Sequence, residues 1–130
     1  MAREWGTRWQ ARGGELIDVL DAPGLVAGDR EGMLTYRLGP DEGEILWIVA
    51  VERHRGVGTA LLDALPAAPR WCVTTTNDNV DALRFYQRRG FRIREVRVGA
   101  VDRSRETIKP AIGLVGDHGI AIHDEIELWR

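Results

Sequence analysis

Cysteine, lysine, long apolar stretches and an excess of one charge are all scarce in this 130-residue chain. The single cysteine, Cys72, excludes an intramolecular disulfide framework and a cysteine-built zinc cage. Its place in an apolar, β-branched run makes it an inert core thiol rather than a nucleophile. The longest apolar run, Ile45 to Val51, is far shorter than the roughly 20 residues of a membrane span. The opening Met1-Ala-Arg-Glu-Trp5 has no secretory pattern, so a cytoplasmic protein without a membrane partner is expected. With 18 basic and 20 acidic residues the net charge is -2, and no global basic field recruits nucleic acid. Only one basic residue, Lys109, is not arginine. Codon bias in a GC-rich genome accounts for that total, while bidentate phosphate recognition remains open locally.

What is present fits one soluble domain over residues 1–130. Hydrophobic residues are 44% and charged residues 29% of the chain. A chain of this length buries roughly two-thirds of its unfolded surface, enough for one core. No repeat, low-complexity tract or linker divides it.

Residues 1–12 hold two tryptophans among charges and show no clear period. Glu15 to Leu20 reads as a strand, followed by a turn at Asp21-Ala-Pro-Gly24. Leu25–Ala27 and Gly32–Leu38 flank a hairpin connection. Glu44 to Val49, apolar on both faces, reads as a central strand. Gly58 to Leu65 is a helix stopped by Pro66, and Trp71 to Thr76 is a β-branched strand. Asn77-Asp-Asn79 caps a second helix that runs to Arg89, with Gly90 in the C-terminal cap position. Phe91 to Val98 predicts a half-buried strand with Phe91, Ile93, Val96 and Val98 inward. A short polar segment, a Gly-rich loop over Pro110 to Gly119 and a final strand over Asp124 to Trp129 complete the chain. The expected fold class is α/β (α+β): a mixed, mostly antiparallel central sheet of about six to seven strands flanked by helices.

The most informative segment is Arg53-His-Arg-Gly-Val-Gly-Thr59, between a buried strand and a helix. Glycines at 56 and 58 let backbone N–H groups approach a ligand closely, and the following helix aims its free N–H groups and positive dipole end at the same place. That is how a phosphate seat is built, and Arg53 and Arg55 add cationic character. Neither GxxxxGK[ST] nor GxGxxG is present. On the loop alone, a phosphate seat and a tight turn needing glycine only for its geometry both remain open.

A second constellation follows the next strand: Asn79-Val-Asp-Ala82, then Tyr86-Gln-Arg-Arg-Gly-Phe91. Together R-x-x-G-x-G/A, strand, N-x-x-A and Y-x-x-x-G-F resemble the GNAT superfamily of acyl-CoA-dependent N-acyltransferases, over Glu44 to Phe91. The tail from Lys109 to Leu128 is similar to a bacterial GNAT subgroup. The resemblance implies acetyl-CoA as co-substrate, no metal, and an amine acceptor as the other partner. It implies that Arg53, His54, Arg55, Gly56, Val57, Gly58 and Thr59 bind the pyrophosphate. Ile48 and Val49 would pair with the pantetheine arm and Asn79 would contact the pantetheine or phosphate region. Tyr86 would protonate the leaving thiolate. The competing reading of Tyr86 is a core aromatic, although Phe85 can fill that role.

Direct transfer needs a neutral amine and a proton donor for the thiolate. Glu44 and, after it, Glu42 are the candidate carboxylates for deprotonation, sharing one face if the strand extends back to them. Asp117-His118 and His123-Asp124 resemble metal pairs, but no third strong ligand is near in the sequence. His123, Asp124 and Glu125 are expected instead to line the acceptor side. The arginines from Arg84 to Arg97 form a basic cluster that matches no nucleic-acid module.

Relative to the family, only about 43 residues precede Glu44 and they read mainly as strands, so the N-terminal helices are reduced. The acceptor side is then expected to be open, completed by the second subunit of a homodimer, or built from the Pro110 to Gly119 loop. The leading function is N-acetylation of an amine. The alternative is a non-catalytic acyl-CoA-binding or regulatory module that has lost its acceptor site.

Overall fold

Gly13 and Gly14, at φ of 57° and 81°, turn the chain between β1 (Trp9–Arg12) and β2 (Glu15–Asp18). Two successive positive φ angles suit the tight turn of a two-residue hairpin, and glycine adopts them without strain. The computed structural model describes residues 9–18, 20, 22–27, 31–50 and 56–130. After the hairpin come β3 (Gly24–Ala27), β4 (Gly32–Leu38), β5 (Gly43–Ala50), α1 (Val57–Asp63) and β6 (Trp71–Thr76). Then follow α2 (Val80–Arg88), β7 (Arg92–Arg97), α3 (Ala100–Thr107) and β8 (Glu125–Trp129). The strands β3 to β8 form a six-stranded sheet in the order β3-β4-β5-β6-β8-β7, and β1-β2 is a separate ribbon. The pairs β3/β4, β4/β5, β6/β8 and β7/β8 are antiparallel. The mixed α/β class, with a mostly antiparallel sheet flanked by helices, is therefore observed. Among the described residues no helix precedes Val57, and none is long and apolar enough to cross a membrane.

Two compact units divide the chain, residues 18–71 and residues 9–17 with 72–130. In the first, β4 and β5 carry Leu34 and Ile45 into the core, where they are almost wholly buried with Leu61 and Leu62 of α1. The helix comes close to the strands because Gly32 has no side chain. A Cβ there would stand 2.6 Å from Val57 Cγ1 and 2.7 Å from the Val49 carbonyl oxygen. Gly43 plays the same part for Trp71, whose ring would meet a Cβ at 2.6 Å. Trp71 is fixed there by its indole N–H donating to the Pro66 carbonyl (3.1 Å) and by Tyr36 edge-on at 5.7 Å.

In the second unit β8 lies between β6 and β7, which puts Leu128 opposite both Val73 and Ile93. Leu128 is fully buried. The expectation for β7 needs correction. A register shift between Ile93 and Glu95 accommodates Arg94 as an extra residue and keeps Ile93 and Val96 on one face. Only Phe91 of the four apolar residues is buried. Ile93 and Val96 are each 49% exposed and Val98 is 74% exposed. The reason is position: β7 is the last strand of the sheet, so it has a neighbour on one side only. The polar segment after it folds as α3, which buries Ala100, Val101 and Ser104.

Candidate functional site

Strand β5, in the first unit, carries several of the candidate residues. Its pairing with β4 shifts between Thr35 and Tyr36, so that Thr35 faces Trp47 while Tyr36 faces Ile45. Leu46 is the extra residue, and the bulge puts Glu44, Trp47 and Val49 on one face. Glu44 lies inside β5, whereas Glu42 precedes the strand. Glu44 is paired with Arg37, its Oε1 accepting from both Nε and Nη2 at 2.8 Å. Ile48 and Val49, both half-buried, pair with Leu34 and Met33.

Helix α1 begins directly after Gly56, which adopts φ 77° and ψ 4°. No side chain among the described residues caps this helix and no acidic residue occupies its first turn. Among the described residues, apart from its chain neighbours, no atom lies within 4 Å of where a Gly56 Cβ would stand. The glycine therefore suits its left-handed backbone, at a helix start that carries no side-chain cap among the described residues. Val57 is buried and Gly58 and Thr59 are half-buried. Arg53, His54 and Arg55 lie outside the described residues.

The second unit carries Asn79 and Tyr86. Asn79 is the N-cap of α2, its side-chain oxygen accepting from the Ala82 N–H at 3.2 Å. Tyr86 is only 3% exposed and packs edge-on against Phe85 and Phe91 at 5.2 and 5.3 Å. Tyr86, rather than Phe85, is thus the ring that fills the core, while half-buried Phe85 carries the Arg89 guanidinium over its face at 4.0 Å. Burial pushes the Tyr86 phenol well above its ordinary range, and Arg12 offsets only part of that rise. A phenol in this setting holds its proton.

Several polar contacts escaped prediction from spacing because they join distant segments. Asn77 Oδ1 accepts from the N–H groups of His123 and Asp124, and its amide donates to the Ala121 carbonyl. Buried Asp78 accepts from Thr76 Oγ1 and from the Asp117 N–H. Arg97 donates to Glu125 and Glu127, Arg94 also pairs with Glu127, and Glu125 accepts the Gly13 N–H. Burial alone would raise the Glu127 carboxyl, but hydrogen bonds from Arg97 and Arg94 reverse this and hold it below the usual carboxylate range. The only early signal was the density of Asn, Asp and His at 77–79 and 117–124. Among the described residues no three His, Cys, Asp or Glu side chains cluster so as to hold a metal ion.

The sequence profile of the acetyltransferase (GNAT) domain matches residues 19–93. The chain belongs to the GNAT acetyltransferases. It is 40% identical over 121 residues to the uncharacterized protein YxbD of Bacillus subtilis (strain 168), covering 87% of this chain and 76% of that protein. Among solved structures it is similar to a Bacillus subtilis acetyltransferase in complex with CoA, at 26% identity and a TM-score of 0.64. That match covers 79% of this chain and 70% of the other. A GNAT family acetyltransferase from Elizabethkingia anophelis with acetyl-CoA bound shares the fold at 20% identity and a TM-score of 0.63, covering 92% and 71% of the two chains. The GNAT match spans the whole of β5, α1 and α2, the elements that carry or adjoin the described candidate residues.

Proposed function

We propose that this GNAT protein transfers an acetyl group from acetyl-CoA to a primary amine of a small molecule or peptide, directly and within a ternary complex, with residues 1–130 acting as one domain. The observation that carries this reading is the start of α1 at Gly56, a left-handed glycine with no side-chain cap among the described residues. The CoA and acetyl-CoA held by the Bacillus subtilis and Elizabethkingia anophelis proteins support the choice of ligand.

In this proposal the backbone N–H groups from Gly56 to Thr59 hold the pyrophosphate, joined by Arg53, His54 and Arg55. Ile48 and Val49 pair with the pantetheine arm, and Asn79 stands at the pantetheine or phosphate region. Tyr86 gives its proton to the departing thiolate, burial keeping the phenol protonated until that step. Glu44, and Glu42 after it, aid deprotonation of the acceptor.

Calorimetry with acetyl-CoA on the wild-type protein and on Gly56→Glu and Gly56→Ala tests the seat. The alanine carries the strain of a left-handed position without a charge, so binding should weaken with Gly56→Ala and vanish with Gly56→Glu. Equal binding by all three folded proteins would remove the loop as the seat. Binding without transfer to any nucleophile would leave an acyl-CoA-binding module.

A further inference from the structure

Five of the six residues of β7 are exposed, Ile93 and Val96 among them, and Val98 just beyond the strand is exposed as well. Among the described residues β7 pairs with β8 alone, so its outer side is a sheet edge with backbone N–H and C=O groups to offer. Edge strands of soluble sheets are commonly guarded by charged side chains, and charge of one sign repels a second copy. The order Arg92-Ile-Arg-Glu-Val-Arg97 has a different layout. Opposite charges, Arg94 and Glu95, stand at its midpoint, with one β-branched apolar residue on either side of them. Such a strand is complementary to itself when reversed.

Directly opposed residues of an antiparallel pair share a face of the sheet. In a regular strand, positions 93 and 96 point to opposite faces and could not oppose each other across a two-fold axis. The extra residue, Arg94, removes that bar. Ile93 lies opposite Leu128 and Val96 opposite Ile126, two residues of one face of β8. Arg94 pairs with Glu127 and holds its guanidinium 4.7 Å from the Trp129 ring centre, which places it on the other face. Glu95, opposite Glu127, is on that face too, as are Arg92 and Arg97, opposite Trp129 and Glu125. A reversed copy of β7 therefore sets Ile93 against Val96, Arg94 against Glu95 and Arg92 against Arg97, each pair on one face. The like-charged pair is blunted, because Arg97 already donates to Glu125, Glu127 and Glu95.

We propose that the outer edge of β7 is a homodimer interface, where two copies of this chain pair β7 antiparallel with Ile93 opposite Val96 and Arg94 opposite Glu95. The two-fold axis stands normal to the sheet at the midpoint of the strand, and each contact occurs twice because the patch is its own partner. The β6-β8-β7 sheet then runs on into its copy, which covers the exposed Ile93 and Val96 and supplies partners to the open edge. The interface uses the second unit alone and does not depend on the acetyl-transfer reading.

Sedimentation equilibrium of the full chain tests the interface, with folding of each variant checked by circular dichroism. The wild type should dimerise reversibly. Arg94→Glu and Glu95→Arg, made separately, each set like charges against one another at two symmetric places. Each should raise the dimer dissociation constant by roughly tenfold or more. An equimolar mixture of the two variants should regain association as a heterodimer, because every charge at the midpoint again meets its opposite. Ile93→Lys should weaken the dimer without any such rescue. A wild type that stays monomeric up to its solubility limit would overturn the proposal and leave the edge to an extended segment of another protein. A dimer that neither charge reversal weakens, or folded variants that stay monomeric when mixed, would place the contact elsewhere and overturn it equally.

Discussion

Tyr86 is built into the core, and the proposed mechanism would also draw on its hydroxyl. Its ring packs against Phe85 and Phe91, and burial keeps its hydroxyl protonated at any physiological pH. Tyr86→Phe preserves the packing volume and removes only the donor. We expect its kcat to fall about a hundredfold while acetyl-CoA affinity, read by calorimetry, stays unchanged. Undiminished turnover would return Tyr86 to a purely structural role.

At the level of elements, the two helices that follow β5 and β6 start in opposite ways. Helix α2 begins with a side-chain cap from Asn79 and an acid, Asp81, in its first turn. Among the described residues helix α1 has neither. The loop before β8 is fastened by close backbone approach at Gly116. A Cβ on that residue would fall on Asp78 Oδ2, the oxygen that accepts the Asp117 N–H. Gly116→Ala should therefore lower stability by about 1–3 kcal/mol in urea unfolding and speed amide exchange at Asp117. Protection equal to wild type would show that the loop is held by other means.

Across the whole molecule, stability should fall at both ends of the pH scale for separate reasons. The folded Glu127 carboxyl is held below its ordinary range, so its contribution is present above the unfolded value. It is lost as pH falls through the lower folded value, starting below about pH 4.5. The folded Tyr86 phenol is raised, so the unfolded chain ionises first and stability declines above about pH 10. Thermal melting against pH should show both limbs. Glu127→Gln should flatten the acid limb and Tyr86→Phe the alkaline one. A limb unchanged by its substitution would mean that another group governs it.

Much of this fold was legible in the order of residues. Strand β6 over Trp71–Thr76, the Asn79 cap and the left-handed Gly90 all follow from β-branching, a capping amide and a terminal glycine, interactions that span only a few residues. The glycine at 56 and the Y-x-x-x-G-F run were equally local, and with them came the family. Other features depend on which strand lies beside which. Placing β8 between β6 and β7 pairs Arg97 with Glu125 and Glu127, and leaves Ile93 and Val96 on an edge strand half exposed. The contacts of Asp102 with His123, Asn77 with His123 and Gly13 with Glu125 span 21, 46 and 112 residues. No periodicity or spacing encodes such pairs, because they form only when the packed sheet returns distant segments to one place.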